Sequence, residues 1–168
     1  MTEVTHRTVA TNGIRIYLAE AGEGPLILLC HGFPESWYSR RHQLAALAEV
    51  GFRAVAPDMR GYGRTDAPEA IDQYTLFHMI GDIVGLLDAL GAEQSVIAGH
   101  DWGAVVAWQS GSPSRLRLMI SLKYPTTAAC SFASKPLCQA STVPLCRSIS
   151  SRRAFSIASN CEIASALS

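Results

Sequence analysis

Residues 5–20 alternate apolar and polar side chains around Asn12-Gly13, and such alternation marks a strand with one buried face. Asn-Gly tolerates the positive φ angles of a tight turn, so this segment predicts a β-hairpin that opens the fold. Pro25 to Cys30 is instead a continuous apolar run, as expected of a strand covered on both faces in a parallel sheet. Phe52–Pro57, Ser95–Gly99 and Leu116–Leu122 predict further strands. Between them, apolar residues recur at helical spacing. Ser36–Val50 groups Leu44, Leu47 and Ala48 and stops at Gly51, a residue suited to the left-handed position after a helix. Thr75–Leu90 carries the clearest stripe, Leu76, Met79, Ile80, Ile83, Leu86, Leu87 and Leu90, and ends at Gly91. Trp102–Ser110 predicts a helix that meets Gly111 and Pro113, where a backbone donor is lost. Strands alternating with helices at these lengths predict an α/β fold, a mostly parallel sheet with helices on both faces.

Composition divides the chain. Residues 1–101 hold 13 of the 14 acidic residues and seven of the 14 basic ones, and all 13 glycines lie at or before Gly111. After Asp101 only Glu162 opposes seven Lys and Arg residues, and Cys130, Cys138, Cys146 and Cys161 fall in a Ser/Ala-rich stretch beyond Pro125. Residues 1–125 are therefore expected to form a core domain and 126–168 a divergent, poorly ordered tail. The tail cysteines contain no CxxC pair and no histidine follows them, so they do not have the spacing of a zinc site. Cys30, closing an apolar run, is expected to be a buried small hydrophobe. A net charge of zero implies no nucleic-acid partner. No run approaches the roughly 18 apolar residues of a membrane span, and no leader pattern opens the chain. A cytoplasmic location without membrane contact is the default expectation.

The chemistry is concentrated at Gly99-His100-Asp101-Trp102-Gly103, where a predicted strand passes into a predicted helix. Glycines two residues before and after a central side chain are the mark of a nucleophile elbow, here with Asp in the place of Ser. The sharp turn leaves room only for very small side chains at positions 99 and 103, and it raises residue 101 into a cleft. The helix dipole would favour an ionised carboxylate there, and the Trp102 N–H would face the reacting atoms. Taken alone, the motif also fits an Asp that merely caps a helix. Two more motifs bear on that choice. His31-Gly32-Phe33-Pro34 directly follows the central apolar run, where the Phe33 N–H is placed as a second oxyanion-hole donor. Asp58-Met59-Arg60-Gly61-Tyr62-Gly63 follows the next strand.

Together HGFPESWYSRRHQL, APDMRGYGRTDAP, YTLFHMIGDIVGLLDALG and AGHDWGAVVAW resemble, in order and spacing, the soluble epoxide hydrolases of the α/β-hydrolase superfamily. The resemblance runs from the first strands to about Trp108, more weakly to Pro125, and not into the tail. It implies that Asp101 is the catalytic nucleophile, that the Phe33 and Trp102 N–H groups form the oxyanion hole, and that His31, Gly32, Pro34, Gly99, His100 and Gly103 support them. It implies a small-molecule epoxide as substrate and neither cofactor nor metal. The elbow is shared with haloalkane dehalogenases, the alternative reading, although these usually carry Asn where this chain has Phe33. The family commonly has Trp where this chain has Arg40.

The family's acid and base follow the nucleophile in chain order, and an inserted cap supplies two tyrosines. Here the histidines are His6, His31, His42, His78 and His100, so none follows Asp101. Only Glu162 and Tyr124 remain downstream as acid and tyrosine. The expectation is a chain with the cap and C-terminal strands missing, inactive or limited to a single turnover. A non-enzymatic alternative is a truncated or frameshifted product, or a remnant kept for binding. The last strand would become an exposed edge open to self-association.

Overall fold

A computed structural model describes residues 3–110 and the backbone of residues 116–122. The hairpin forms as the alternation predicts. Strands β1 (Thr5–Thr11) and β2 (Ile14–Ala21) pair antiparallel from Thr5↔Glu20 to Thr11↔Ile14. Asn12 and Gly13 make the turn at φ 46° and 77°, the left-handed values this dipeptide tolerates. The following strands are β3 (Leu26–Cys30), β4 (Arg53–Pro57), β5 (Ser95–His100) and β6 (Leu116–Leu122). They join the hairpin in one sheet of order β1-β2-β4-β3-β5-β6. β2 meets β4 antiparallel, whereas β3 runs parallel to both β4 and β5, and β5 runs parallel to β6. All five residues of β3 and all six of β5 are buried, in keeping with their unbroken apolar runs.

Helices α1 (Arg41–Glu49), α2 (Leu76–Ala89) and α3 (Trp102–Ser110) cover this sheet. On one face Ile83, Leu86, Leu87 and Leu90 from α2 and its cap, with Val106 and Ala107 from α3, pack on Leu18, Leu28, Cys30, Val55 and Ile97. Alternation turns Ile27, Leu29, Ala54 and Ala56 to the other face. There they are fully covered, and α1 contributes the buried Leu44 and Leu47. The predicted α/β architecture with helices on both faces is thus the one observed. Cys30 is fully buried, and burial pushes its thiol up to about 12.

Helix α2 keeps nearly its predicted bounds. The Thr75 hydroxyl accepts the His78 N–H at its start, and Gly91 ends it at φ 69°. The expected helix over Ser36–Val50 is instead divided into a 3-10 turn at Trp37–Arg40 and α1. Ser39 closes an i→i+3 bond to the Ser36 carbonyl and adds its hydroxyl to the same oxygen at 2.9 Å, which tightens that first turn. A second 3-10 turn, Ile71–Tyr74, precedes α2. The hairpin turn lies directly on α2, where a Cβ on Gly85 would stand 2.1 Å from the Thr11 hydroxyl. The Gly111–Pro113 break and the tail over 126–168 lie outside the described residues. Among the described residues no helix is long and apolar enough to cross a membrane.

Candidate active site

The three motifs meet at one end of the sheet, because each follows the carboxyl end of a parallel strand. His31–Pro34 leaves β3, Asp58–Gly63 leaves β4, and Asp101 leaves β5. Crevices at that end are where open α/β sheets bind ligands. Asp101 sits between β5 and α3 with φ 52°, a left-handed conformation that costs a non-glycine residue roughly 1–2 kcal/mol. Packing explains how the turn closes. A Cβ at Gly99 would stand 2.2 Å from the Gly103 carbonyl oxygen, and one at Gly103 would stand 2.3 Å from that of His31. Gly32 is equally confined, with its Cβ position 2.7 Å from the Asp101 Cβ.

The Asp101 carboxylate does not behave as a helix cap. A capping side chain bonds an amide two or three residues onward from an extended backbone. Asp101 Oδ2 accepts instead the N–H of Phe33 at 2.9 Å. That amide, joined by the Trp102 amide, holds the Asp101 carboxyl below the usual aspartate range, since hydrogen bonds to the charged form favour it. The residue is solvent-exposed, and Phe33 and Trp102 are 62% and 58% exposed, so an anionic oxygen is open to approach among apolar side chains.

Beneath it lies a buried polar layer. His31 is buried, with Nδ1 at 2.8 Å from the Gly32 carbonyl oxygen and Nε2 accepting the Met59 N–H at 2.9 Å. Burial lowers the His31 pKa and outweighs the opposing pull of Gly32, Asp58 and Glu35. Pro34 follows a cis Phe33–Pro34 peptide. His100 Nδ1 stands 3.6 Å from Glu35 Oε1. Glu35 Oε2 accepts the Ser39 hydroxyl at 2.9 Å and lies 3.5 Å from Arg40 Nη2. Burial opposes ionisation of Glu35, and the Ser39 hydroxyl, the Gly32 amide and the Arg40 and His100 charges together prevail to lower its pKa. Asp58, buried, receives the Trp37 N–H at 2.8 Å and the Arg64 N–H at 2.9 Å, pinning the loop after β4 to the loop after β3.

Sequence reasoning therefore named Asp101, Phe33, Trp102, His31, Gly32, Pro34, Gly99, His100 and Gly103, and all stand within this corner. It assigned no part to Glu35 or Asp58. Glu35 stands four residues beyond His31, and an acid in the loop that carries the Phe33 amide was the available signal. His6 and His42 are exposed, while His78 is half-buried at the start of α2 with Nδ1 2.8 Å from the Thr75 hydroxyl.

The family model for the alpha/beta hydrolase fold matches residues 25–127. The chain belongs to the alpha/beta hydrolase fold family. Within it, epoxide hydrolase 3 of Siraitia grosvenorii is 51% identical over 124 residues, covering 73% of this chain and 39% of that protein. Epoxide hydrolase A of Mycobacterium tuberculosis is 54% identical over 108 residues, covering 63% of this chain and 34% of that protein. The crystal structure of an epoxide hydrolase from Vigna radiata superposes with a TM-score of 0.71 at 52% identity, over 74% of this chain and 39% of the other. This α/β-hydrolase chain thus spans about two fifths of the length of such relatives.

Proposed function

We propose that this chain carries the nucleophile half of an epoxide hydrolase, with Asp101 as the attacking group. The observation that carries the proposal is the exposed Asp101 carboxylate, raised at φ 52° and held through Oδ2 by the Phe33 amide at 2.9 Å. Oδ1 forms the new bond to an epoxide carbon, the C–O ring bond breaks with its electron pair going to the ring oxygen, and that oxygen takes a proton from solvent water, which leaves as hydroxide. Oδ2 remains as the carbonyl oxygen of the resulting alkyl ester. When water later adds to that carbonyl carbon, negative charge returns to Oδ2, where the Phe33 and Trp102 amides already point.

Hydrolysis of the ester calls for a base to activate water, and no histidine follows Asp101 in these 168 residues. We take residues 1–125 as the partial core and 126–168 as a separate tail, and propose that this chain by itself stops at the ester. The relatives are epoxide hydrolases, which favours an epoxide over a haloalkane.

The test is to incubate the full chain with a reactive aryl epoxide and map the modified peptides by mass spectrometry. One adduct on Asp101, absent from Asp101→Asn, is expected. Its yield should rise with pH through a midpoint below the ordinary aspartate value, because the hydrogen-bonded carboxylate stays ionised to lower pH. No label on Asp101 would leave the chain a non-enzymatic product or binding remnant.

A further inference from the structure

Asn12 and Gly13, which turn the hairpin, also form a pair with covalent chemistry of its own. The Gly13 nitrogen can attack the Asn12 side-chain carbonyl carbon, because glycine carries no Cβ to hinder the approach. A bond forms between that nitrogen and Cγ, the Cγ–Nδ2 bond breaks, and ammonia leaves with the Gly13 proton. Water then opens the cyclic imide at either carbonyl and returns a proton to the nitrogen. The product is aspartate, or isoaspartate with the main chain routed through Cγ. Asn12 and Gly13 are both exposed, so water reaches the turn.

The fold opposes the attack. Asn12 Nδ2 donates to the His78 carbonyl at 3.0 Å and to Asp82 Oδ1 at 2.7 Å. Arg60 Nη2 donates to the Asn12 carbonyl at 3.4 Å, the other end of the peptide whose nitrogen must attack. The side chain rests on Gly81, where a Cβ would stand 2.8 Å from Nδ2. To reach Gly13 the amide must leave α2, which breaks two hydrogen bonds, one of them to a charged carboxylate. The same contacts turn against the product. A carboxylate has no hydrogen to donate, and in the place of Nδ2 its oxygen would face the Asp82 carboxylate, where like charges repel. Isoaspartate adds a main-chain atom inside a turn whose pairing closes at Thr11↔Ile14.

We infer that Asn12 is a deamidation site under the control of α2. Docking of the turn on His78 and Asp82 holds the amide away from the Gly13 nitrogen, and conversion of the amide to a carboxylate undocks the turn. Chains that open at this corner are the ones converted, and conversion keeps them open. The inference is independent of the role proposed for Asp101.

Peptide mapping by mass spectrometry follows conversion at Asn12 in the folded full chain at neutral pH, in the same chain held unfolded in urea, and in folded Gly81→Ala. That variant puts a methyl group where the Asn12 amide rests, within a helix interior that favours alanine over glycine. Conversion in the folded wild type is expected to be at least about tenfold slower than in urea, and Gly81→Ala to convert about threefold faster than the folded wild type. Folded and urea rates that agree, or a Gly81→Ala rate equal to that of the wild type, overturn the inference. Urea midpoints of Asn12→Asp, alone and combined with Asp82→Asn, keep it refutable if Gly81→Ala fails to fold. Alone, Asn12→Asp is expected to lower the midpoint. Added to Asp82→Asn, which removes the facing charge, the same change should lower it little. An equal loss in both backgrounds overturns the inference.

Discussion

Two kinds of glycine separate cleanly by what surrounds them. At Gly99 and Gly103 an added Cβ would meet backbone atoms at 2.2 and 2.3 Å, whereas at Gly91, with φ 69°, it would meet nothing within 4 Å. Backbone cannot step aside as a side-chain end can, so Gly99→Ala and Gly103→Ala are expected to cost on the order of 3 kcal/mol. Gly91→Ala should cost only about 1 kcal/mol, for the left-handed backbone alone. Urea midpoints of the three variants check this, and equal losses would mean that crowding at the turn is relieved more easily than its geometry suggests. Arg40 is a different case. It is 8% exposed, and its Nε and Nη2 are buried without a hydrogen bond in a cluster whose nearest counter-charge is Glu35 at 3.5 Å. A buried cation so loosely matched recovers little of its desolvation cost. Arg40→Trp, which replaces the cation by an apolar ring, should hold or raise stability by roughly 1 kcal/mol. A loss above that size in chemical denaturation would show that the Glu35 contact outweighs the burial.

Among the elements, the Arg60–Asp82 pair ties the loop after β4 to α2. It is bidentate, at 2.8 and 2.6 Å, with the side chains 1% and 5% exposed, and Asn12 of the hairpin turn adds its amide to Asp82 at 2.7 Å. Asp82→Ala strands a buried guanidinium and is expected to cost about 3–5 kcal/mol, while Arg60→Met with Asp82→Leu together should cost far less. A double-mutant cycle measures the difference, and additive losses would refute a coupled pair. None of this was legible in the sequence. Residues 22 and 70 apart share no periodicity, and an acid within an apolar helical stripe looks like any exposed interruption. The stripe itself was legible, since α2 follows from seven apolar positions that only a helix can align. The division of Ser36–Val50 was not, because it depends on where the Ser39 hydroxyl finds its acceptors rather than on which residues are apolar.

Across the whole molecule, the pattern that could be read was the one with local causes: buried strands from continuous apolar runs, turns from Asn12-Gly13, and the elbow from glycines at fixed spacing. The meeting of Phe33 with Asp101, 68 residues apart, became legible only through the resemblance that aligned three motifs at once. The hydrogen bonds that tie His31 to Met59 and Asp58 to Trp37 stayed hidden because they join loops that become neighbours only when the sheet is assembled. That sheet also sets a timetable. In space β4 lies between β2 and β3, yet along the chain it is made after both. The hairpin and the first parallel strand are synthesised as two pieces with no common edge, and until Arg53–Pro57 emerges to pair with Leu18–Ala21 on one side and Leu26–Leu28 on the other, neither can join the other. For that interval the growing chain carries one apolar strand without a partner, β3, and the open edge of another, β2, the form most open to wrong partners. A five-residue segment made third is therefore what turns two fragments into one sheet.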